Sequence, residues 1–181
     1  GNMLMNRYFK NFDWAKNALA AEDFQRFQDV DQIFQKYGEQ YGIDYLMVAA
    51  QGYQESALDQ SARSGAGAIG IMQLLPSTAE DKNVGIPDIS DVDPNIHAGI
   101  KYLDWIRNRY FNNPEIDRFN QTLFTFAAYN AGPGAVKRYK GIPPFEETQT
   151  YVKRVKILHQ RYRQALLGNP EGDRVSQARI Y

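Results

Sequence analysis

Apolar residues recur three and four positions apart through most of this chain, and a period of that length buries one face of the backbone only as an α-helix. In EDFQRFQDVDQIFQKYGEQY, residues 22–41, the stripe is Phe24, Phe27, Ile33, Phe34, Tyr37 and Tyr41. Gly42 allows a turn, and IDYLMVAAQGYQES repeats the pattern through Ile43, Leu46, Met47, Ala50 and Tyr53. The texture then changes. Gly65, Gly67 and Gly70 fall close together and disfavour a helix interior, so a loop or short strand is expected there. Pro76 opens a short helix in PSTAED. Asp93-Pro94 reads as an N-cap followed by proline at the first helical position, starting a helix that buries Ile96, Ile100, Leu103, Ile106 and Tyr110. NNPE breaks it, and IDRFNQTLFTFAAYNAG forms another helix that stops at Gly132-Pro133-Gly134. A last helix from Glu146 to Leu167 carries Tyr151, Val152, Val155, Leu158, Tyr162 and Leu166 inward. The fold class is all-α, with a glycine-rich loop or short β insert after the second of these helices.

At 181 residues the chain can build one sizeable core, with room for an appended helical segment but not for a second full domain. Its 21 basic residues are matched by 21 acidic ones, leaving no positive field to hold a phosphate backbone, so nucleic acid is excluded as an expected partner. Cysteine is absent, which rules out a disulfide frame, a thiolate metal site and a cysteine nucleophile. His97 and His159 have no metal-spaced partner, and DISDVDPN lacks the ligand order, glycine and closing glutamate of an EF-hand. Neither metal nor cofactor is expected. No run approaches the roughly 18 apolar residues of a membrane span, and GNMLMNRYFKNF lacks the apolar centre of a secretory signal. Gly1 before Asn2 reads as the scar of a trimmed terminus, so membrane contact is expected only through a segment outside this sequence. Aromatic residues reach 13%, with 12 tyrosines; such rings suit sugar or peptide grooves, although most of them are expected to be core.

One carboxylate breaks the pattern. Glu55 follows Val48 by seven, Gln51 by four and Gly52 by three, which sets it beside the apolar stripe in the last turn before the glycines. The helix dipole there disfavours its charge by only about 0.3–1 kcal/mol. Desolvation in a cleft would be the larger effect. An acid that must donate a proton at neutral pH needs its charged form destabilised in this way. A solvated glutamate at a fraying helix end is the other reading, and position alone leaves both open. Asp59, Asp88, Asp91 and Asp93 are further carboxylates whose separation from Glu55 would decide whether a second acid takes part.

Four blocks bear on the choice: QESALDQSARSGAGAIGIMQLLPSTA, NIHAGIKYL, AAYNAGPGAV and ETQTYVKRV. In this order and spacing, over about Tyr41 to Leu167, the chain resembles the catalytic module of family 1 lytic transglycosylases, peptidoglycan-cleaving enzymes of the lysozyme-like superfamily. RYF and the aromatic-rich helix after it are loosely similar to the region before that module in membrane-bound members of the F type.

The resemblance implies a lysozyme-like helical fold, with residues 1–40 as an N-terminal helical extension packed on the core, 41–167 as the catalytic domain and 168–181 as a tail. It implies that Glu55 is the single catalytic acid. Ser64 matches the serine of the following loop, Met72 and Gln73 stand in Gly70-Ile71-Met72-Gln73 where the family has Gly-Leu-Met-Gln, Tyr129 and Asn130 match Ala-Tyr-Asn-Ala-Gly, and Glu147 and Tyr151 match a motif that closes the cleft. These are the expected substrate-binding residues. For Ser64 a loop turn, for Asn130 a helix cap and for Tyr151 a core position stay open as structural alternatives.

The implied reaction has Glu55 protonate the oxygen between N-acetylmuramic acid and N-acetylglucosamine. As carboxylate it then takes the proton of the muramoyl C6 hydroxyl, which closes a 1,6-anhydro end without water. A lysozyme-like hydrolase using water and a noncatalytic peptidoglycan-binding module are the competing readings. Peptidoglycan strands are the expected partner, a monomer the expected state, and the periplasm or cell envelope the expected location.

Overall fold

The computed structural model describes residues 21–167; residues 1–20 and 168–181, and with them half of the expected extension and the whole of the expected tail, lie outside the described residues. Among the described residues seven helices follow one another: α1 Ala21–Tyr41, α2 Tyr45–Ser56, α3 Pro76–Glu80, α4 Val92–Tyr110, α5 Arg118–Ala131, α6 Pro133–Tyr139 and α7 Glu146–Leu167. Helix α2 lies between α1 and α7, its most extensive neighbour; α4 packs on α1 and α5, and α5 reaches α6 and α7.

Helix α2 starts where Asp44 accepts hydrogen bonds from the backbone N–H groups of Leu46 (2.9 Å) and Met47 (3.4 Å), pairing two donors that a helix start leaves orphaned. Its apolar stripe is as expected, but the opposite side is covered too: every residue from Leu46 to Ser56 is buried. Small residues make that possible. At Gly52 an added Cβ would stand 3.2 Å from Leu58 and Ile71 and 3.3 Å from Phe34. A helix buried all round must also bury its polar residues, and Gln51, Gln54, Glu55 and Ser56 are all inside. Helix α1 belongs to the same core: Phe27 and Phe34 are fully buried, and Phe27 stacks on Tyr162 of α7 at 4.6 Å.

Between α2 and α3 the glycine-rich insert forms turns with two isolated antiparallel bridges, Arg63 with Ile69 and Ile69 with Leu74, and no strand occurs among the described residues. A small apolar cluster of Leu74, Ala79, Val84, Ile89 and Ala98 supports it.

Three local expectations are corrected. Helix α4 begins at Val92, so Asp93 lies inside its first turn and accepts a hydrogen bond from Tyr37 instead of capping; the cap position is Asp91, which makes no side-chain capping bond. Gly132 does end α5, with φ 93°, but Pro133 is the first residue of α6, because the fixed φ and missing N–H of proline suit a helix start as well as a stop. Leu166 is 38% exposed rather than inward, since it borders an open cavity beside the α1–α2 turn and the start of α5; Tyr151, Val152, Val155, Leu158 and Tyr162 are buried as expected, and Tyr110 of α4 is half-buried.

Candidate active site

Helix α2 ends one residue after Glu55, and Ala57 and Leu58 then take left-handed conformations, with φ 56° and 60°, that turn the chain sharply away. This leaves the Glu55 side chain against α7, where the hydroxyl of fully buried Tyr151 donates to Glu55 Oε1 at 2.7 Å. Only 9% of Glu55 is exposed. Burial pushes its carboxyl from an ordinary 4.5 up to about 7; the Tyr151 hydrogen bond pulls the other way, and the nearby Glu147 carboxylate adds to the rise. Burial, and then the charge of Glu55, hold the phenols of Tyr151 and Tyr129 well above their usual range, so both stay protonated as donors.

The insert is held to this acid by side chains from three elements. Ser56 donates from Oγ to the carbonyls of Ile71 (2.8 Å) and Gly52 (3.1 Å). Asn95 of α4, fully buried, accepts from the Met72 N–H at 2.9 Å and donates to the carbonyls of Ile69 (2.9 Å) and Ile89 (3.1 Å). Gln60 accepts from the Ile71 N–H and donates to the carbonyls of Ile89 and Ser90. Tyr129 of α5 donates to the Met72 carbonyl at 2.6 Å, which ties the insert to the α5 end of the site.

The structure therefore gathers Glu55, Tyr151 and Tyr129 around the backbone of Ile71 and Met72, with Glu147 exposed but within electrostatic reach. The Met72 side chain points away, fully buried against Gly99, where an added Cβ would stand 2.6 Å from it. Gln73 has φ 47° and is 8% exposed; its amide donates to the carbonyls of Gly70 (3.0 Å) and Ala62 (3.2 Å), and its Oε1 makes no hydrogen bond with a described group. The bonds of the remaining two candidates run elsewhere. Ser64 Oγ accepts from the Ala68 N–H within its own turn, and Asn130 Oδ1 accepts from Thr148 Oγ, joining α5 to α7 instead of capping a helix.

Asp59 is exposed and Asp88 lies on a loop, each accepting from a serine two residues on, Ser61 and Ser90, so both carboxylates are engaged in their own turns. Among the described residues no cluster of three or more His, Asp or Glu side chains is placed to share a metal ion, and no helix is long and apolar enough to cross a membrane. Cavities of about 860 and 720 Å³ lie beside α7 and beside the α1–α2 turn; no candidate site residue lines either. Ser56, Gln60 and Asn95 escaped the sequence reading. Ser56 and Gln60 lie in the same block as Glu55 and Asn95 opens another, but a serine at a helix end and an asparagine in a first turn read as local caps, and a glutamine in a loop reads as a solvated side chain.

Helices closed around one buried, tyrosine-bonded carboxylic acid, with a hydrogen-bonded insert at its helix end, define a lysozyme-like all-α domain. The chain belongs to the Transglycosylase SLT domain family, whose model matches residues 32–152. It is 36% identical over 138 residues to the membrane-bound lytic murein transglycosylase F of Desulfosudis oleivorans, covering 74% of this chain and 30% of that protein. It is 33% identical over 156 residues to the soluble lytic murein transglycosylase of Escherichia coli, covering 74% of this chain and 23% of that protein. Among solved structures, the soluble lytic transglycosylase of E. coli superposes with TM-score 0.64 at 27% identity, over 94% of this chain and 31% of that one. An inactive glutamate-to-glutamine mutant of the lytic transglycosylase Slt of Pseudomonas aeruginosa superposes with TM-score 0.63 at 30% identity, over 75% of this chain and 24% of that one. The chain thus spans less than a third of each of these relatives.

Proposed function

We propose that this domain is a peptidoglycan lytic transglycosylase that cleaves the bond between N-acetylmuramic acid and N-acetylglucosamine and leaves a 1,6-anhydro end. The observation that carries the reading is Glu55, a carboxylic acid kept neutral up to about pH 7 by burial and bonded by Tyr151. Neutral Glu55 gives its proton to the glycosidic oxygen. The resulting carboxylate is the form that the Tyr151 hydroxyl stabilises, and it accepts the proton of the muramoyl C6 hydroxyl as that oxygen closes on the anomeric carbon. An internal nucleophile needs no second protein carboxylate, which agrees with the engagement of Asp59 and Asp88 in their own turns, and its attack is favoured by proximity. Further support comes from the family, from relatives named lytic murein transglycosylases and from the inactive glutamate-to-glutamine mutant of one of them.

In this reading Ser64, Gln73, Tyr129 and Asn130 hold sugar substituents, Met72 contributes through its backbone, and Glu147 closes the cleft beside Tyr151. Residues 41–167 form the catalytic unit on which the N-terminal extension packs. It acts as a monomer on glycan strands in the periplasm or cell envelope. Digestion of purified sacculi tests the reaction: muropeptides with anhydro ends are expected by mass spectrometry, whereas reducing ends, one water heavier, would make the domain a hydrolase, and no release at all would make it a binding module.

A further inference from the structure

The helix that carries Glu55 buries another polar side chain with no part in the scheme above. Gln51 stands one turn before Glu55 on α2, at the i, i+4 spacing that puts two side chains on one face. It is fully buried, and neither its Oε1 nor its Nε2 completes a hydrogen bond with a described group. A buried amide in that state is costly, and an apolar residue would extend the buried run from Leu46 to Ala50 that directly precedes it. The group it acts on is Tyr151, the phenol bonded to Glu55, whose ionisation the neighbouring Gln51 amide eases.

We propose that Gln51 is a positioning residue for the acid: its amide N–H closes on the Tyr151 hydroxyl oxygen, committing the single hydroxyl proton to Glu55 Oε1 and leaving the acid's own proton on Oε2. A phenol has one proton to give and an oxygen that accepts. With its accepting side taken by Gln51, Tyr151 cannot receive the O–H of neutral Glu55, so that proton stays available to a substrate oxygen. The donated amide bond also polarises the Tyr151 O–H and strengthens its bond to the carboxylate. Tyr151 keeps its proton throughout; only Glu55 loses and regains one. Among the described residues, the other titratable groups coupled to Glu55 are Glu147, on α7 with Tyr151, and Tyr129 of α5.

The kinetic half of this inference rests on the proposed reaction, and the test separates the two. Gln51→Met keeps the volume and removes the donor, Gln51→Leu serves as a second variant, and thermal melts report whether each folds. The Glu55 carboxyl is titrated by ¹³C NMR without substrate, and cleavage of glycan strands is measured in parallel, in wild-type and Tyr151→Phe backgrounds. In the wild-type background, loss of Gln51 is expected to move the Glu55 titration upward and to lower kcat about tenfold at unchanged KM, a part of the roughly 10²–10⁴-fold that positioned proton transfer supplies. In the Tyr151→Phe background the same change is expected to move neither. Equal shifts in both backgrounds, or no shift in either, would overturn the positioning role. A coupled titration in a protein that releases no anhydro product would overturn the reaction alone.

Discussion

Glu55 is governed by two opposed effects, the loss of water around its carboxyl and the hydrogen bond from Tyr151, and the first is larger. The sign for stability follows. The folded protein holds this proton up to about 7, against an ordinary 4.5, so the contribution is whole below about 4.5 and lost as the pH rises past about 7. Glu55→Gln is therefore expected to lower cleavage by about 10²–10⁴-fold or more while stabilising the fold at alkaline pH by on the order of 3 kcal/mol. Urea melts at pH 5 and pH 8 check this, with the mutant's advantage confined to the higher value. Tyr151→Phe removes the bond that favours the charged form, so the alkaline limb of the pH–rate profile should move upward. The anomaly of Glu55 could be read from its place beside an apolar stripe. Its partner could not be found from spacing, because Tyr151 lies 96 residues away and only the quoted motif pointed to it.

At the scale of elements, the insert owes its shape to bonds made by neighbouring helices more than to its glycines. Replacing Asn95 by alanine strands the Met72 N–H and removes one of two hydrogen bonds at each of the Ile69 and Ile89 carbonyls, which keep Leu74 and Gln60 as donors. Each buried group left unpaired costs about 1–3 kcal/mol, so the urea midpoint should fall markedly, and activity with it as the insert shifts beside Glu55. Gly99→Ala drives a Cβ to within 2.6 Å of Met72, and overpacking of that kind costs about 1–3 kcal/mol, which a thermal melt would register. The periodicity foretold the long helices, including both ends of α7, because an apolar stripe states its own period. It missed α6, since Gly132-Pro133-Gly134 carries the stop of one helix and the start of the next in the same residues. It also missed how the insert is held, since side-chain bonds between distant segments leave no periodic trace.

For the described residues as a whole, one core joins α1, α2, α4, α5, α6 and α7, while α3 belongs to the smaller cluster beside it. The family match begins at residue 32, inside α1, yet Phe27 lies upstream of it and is fully buried on Tyr162. A chain starting at Gly42 would lose Phe27, Val30, Phe34 and Tyr37 from that core, at about 1.5–3 kcal/mol for each large apolar side chain. It is expected to show no cooperative thermal transition by circular dichroism, and a sharp one near the wild-type midpoint would make α1 dispensable. What the assembled fold supplies is a dry setting for one carboxyl group, a property that no isolated helix has. The most direct test is a ¹³C NMR titration of that carboxyl in the folded protein, with its resonance assigned by its loss in Glu55→Gln. A midpoint near 7 is expected; a midpoint near the ordinary 4.5 would contradict the account.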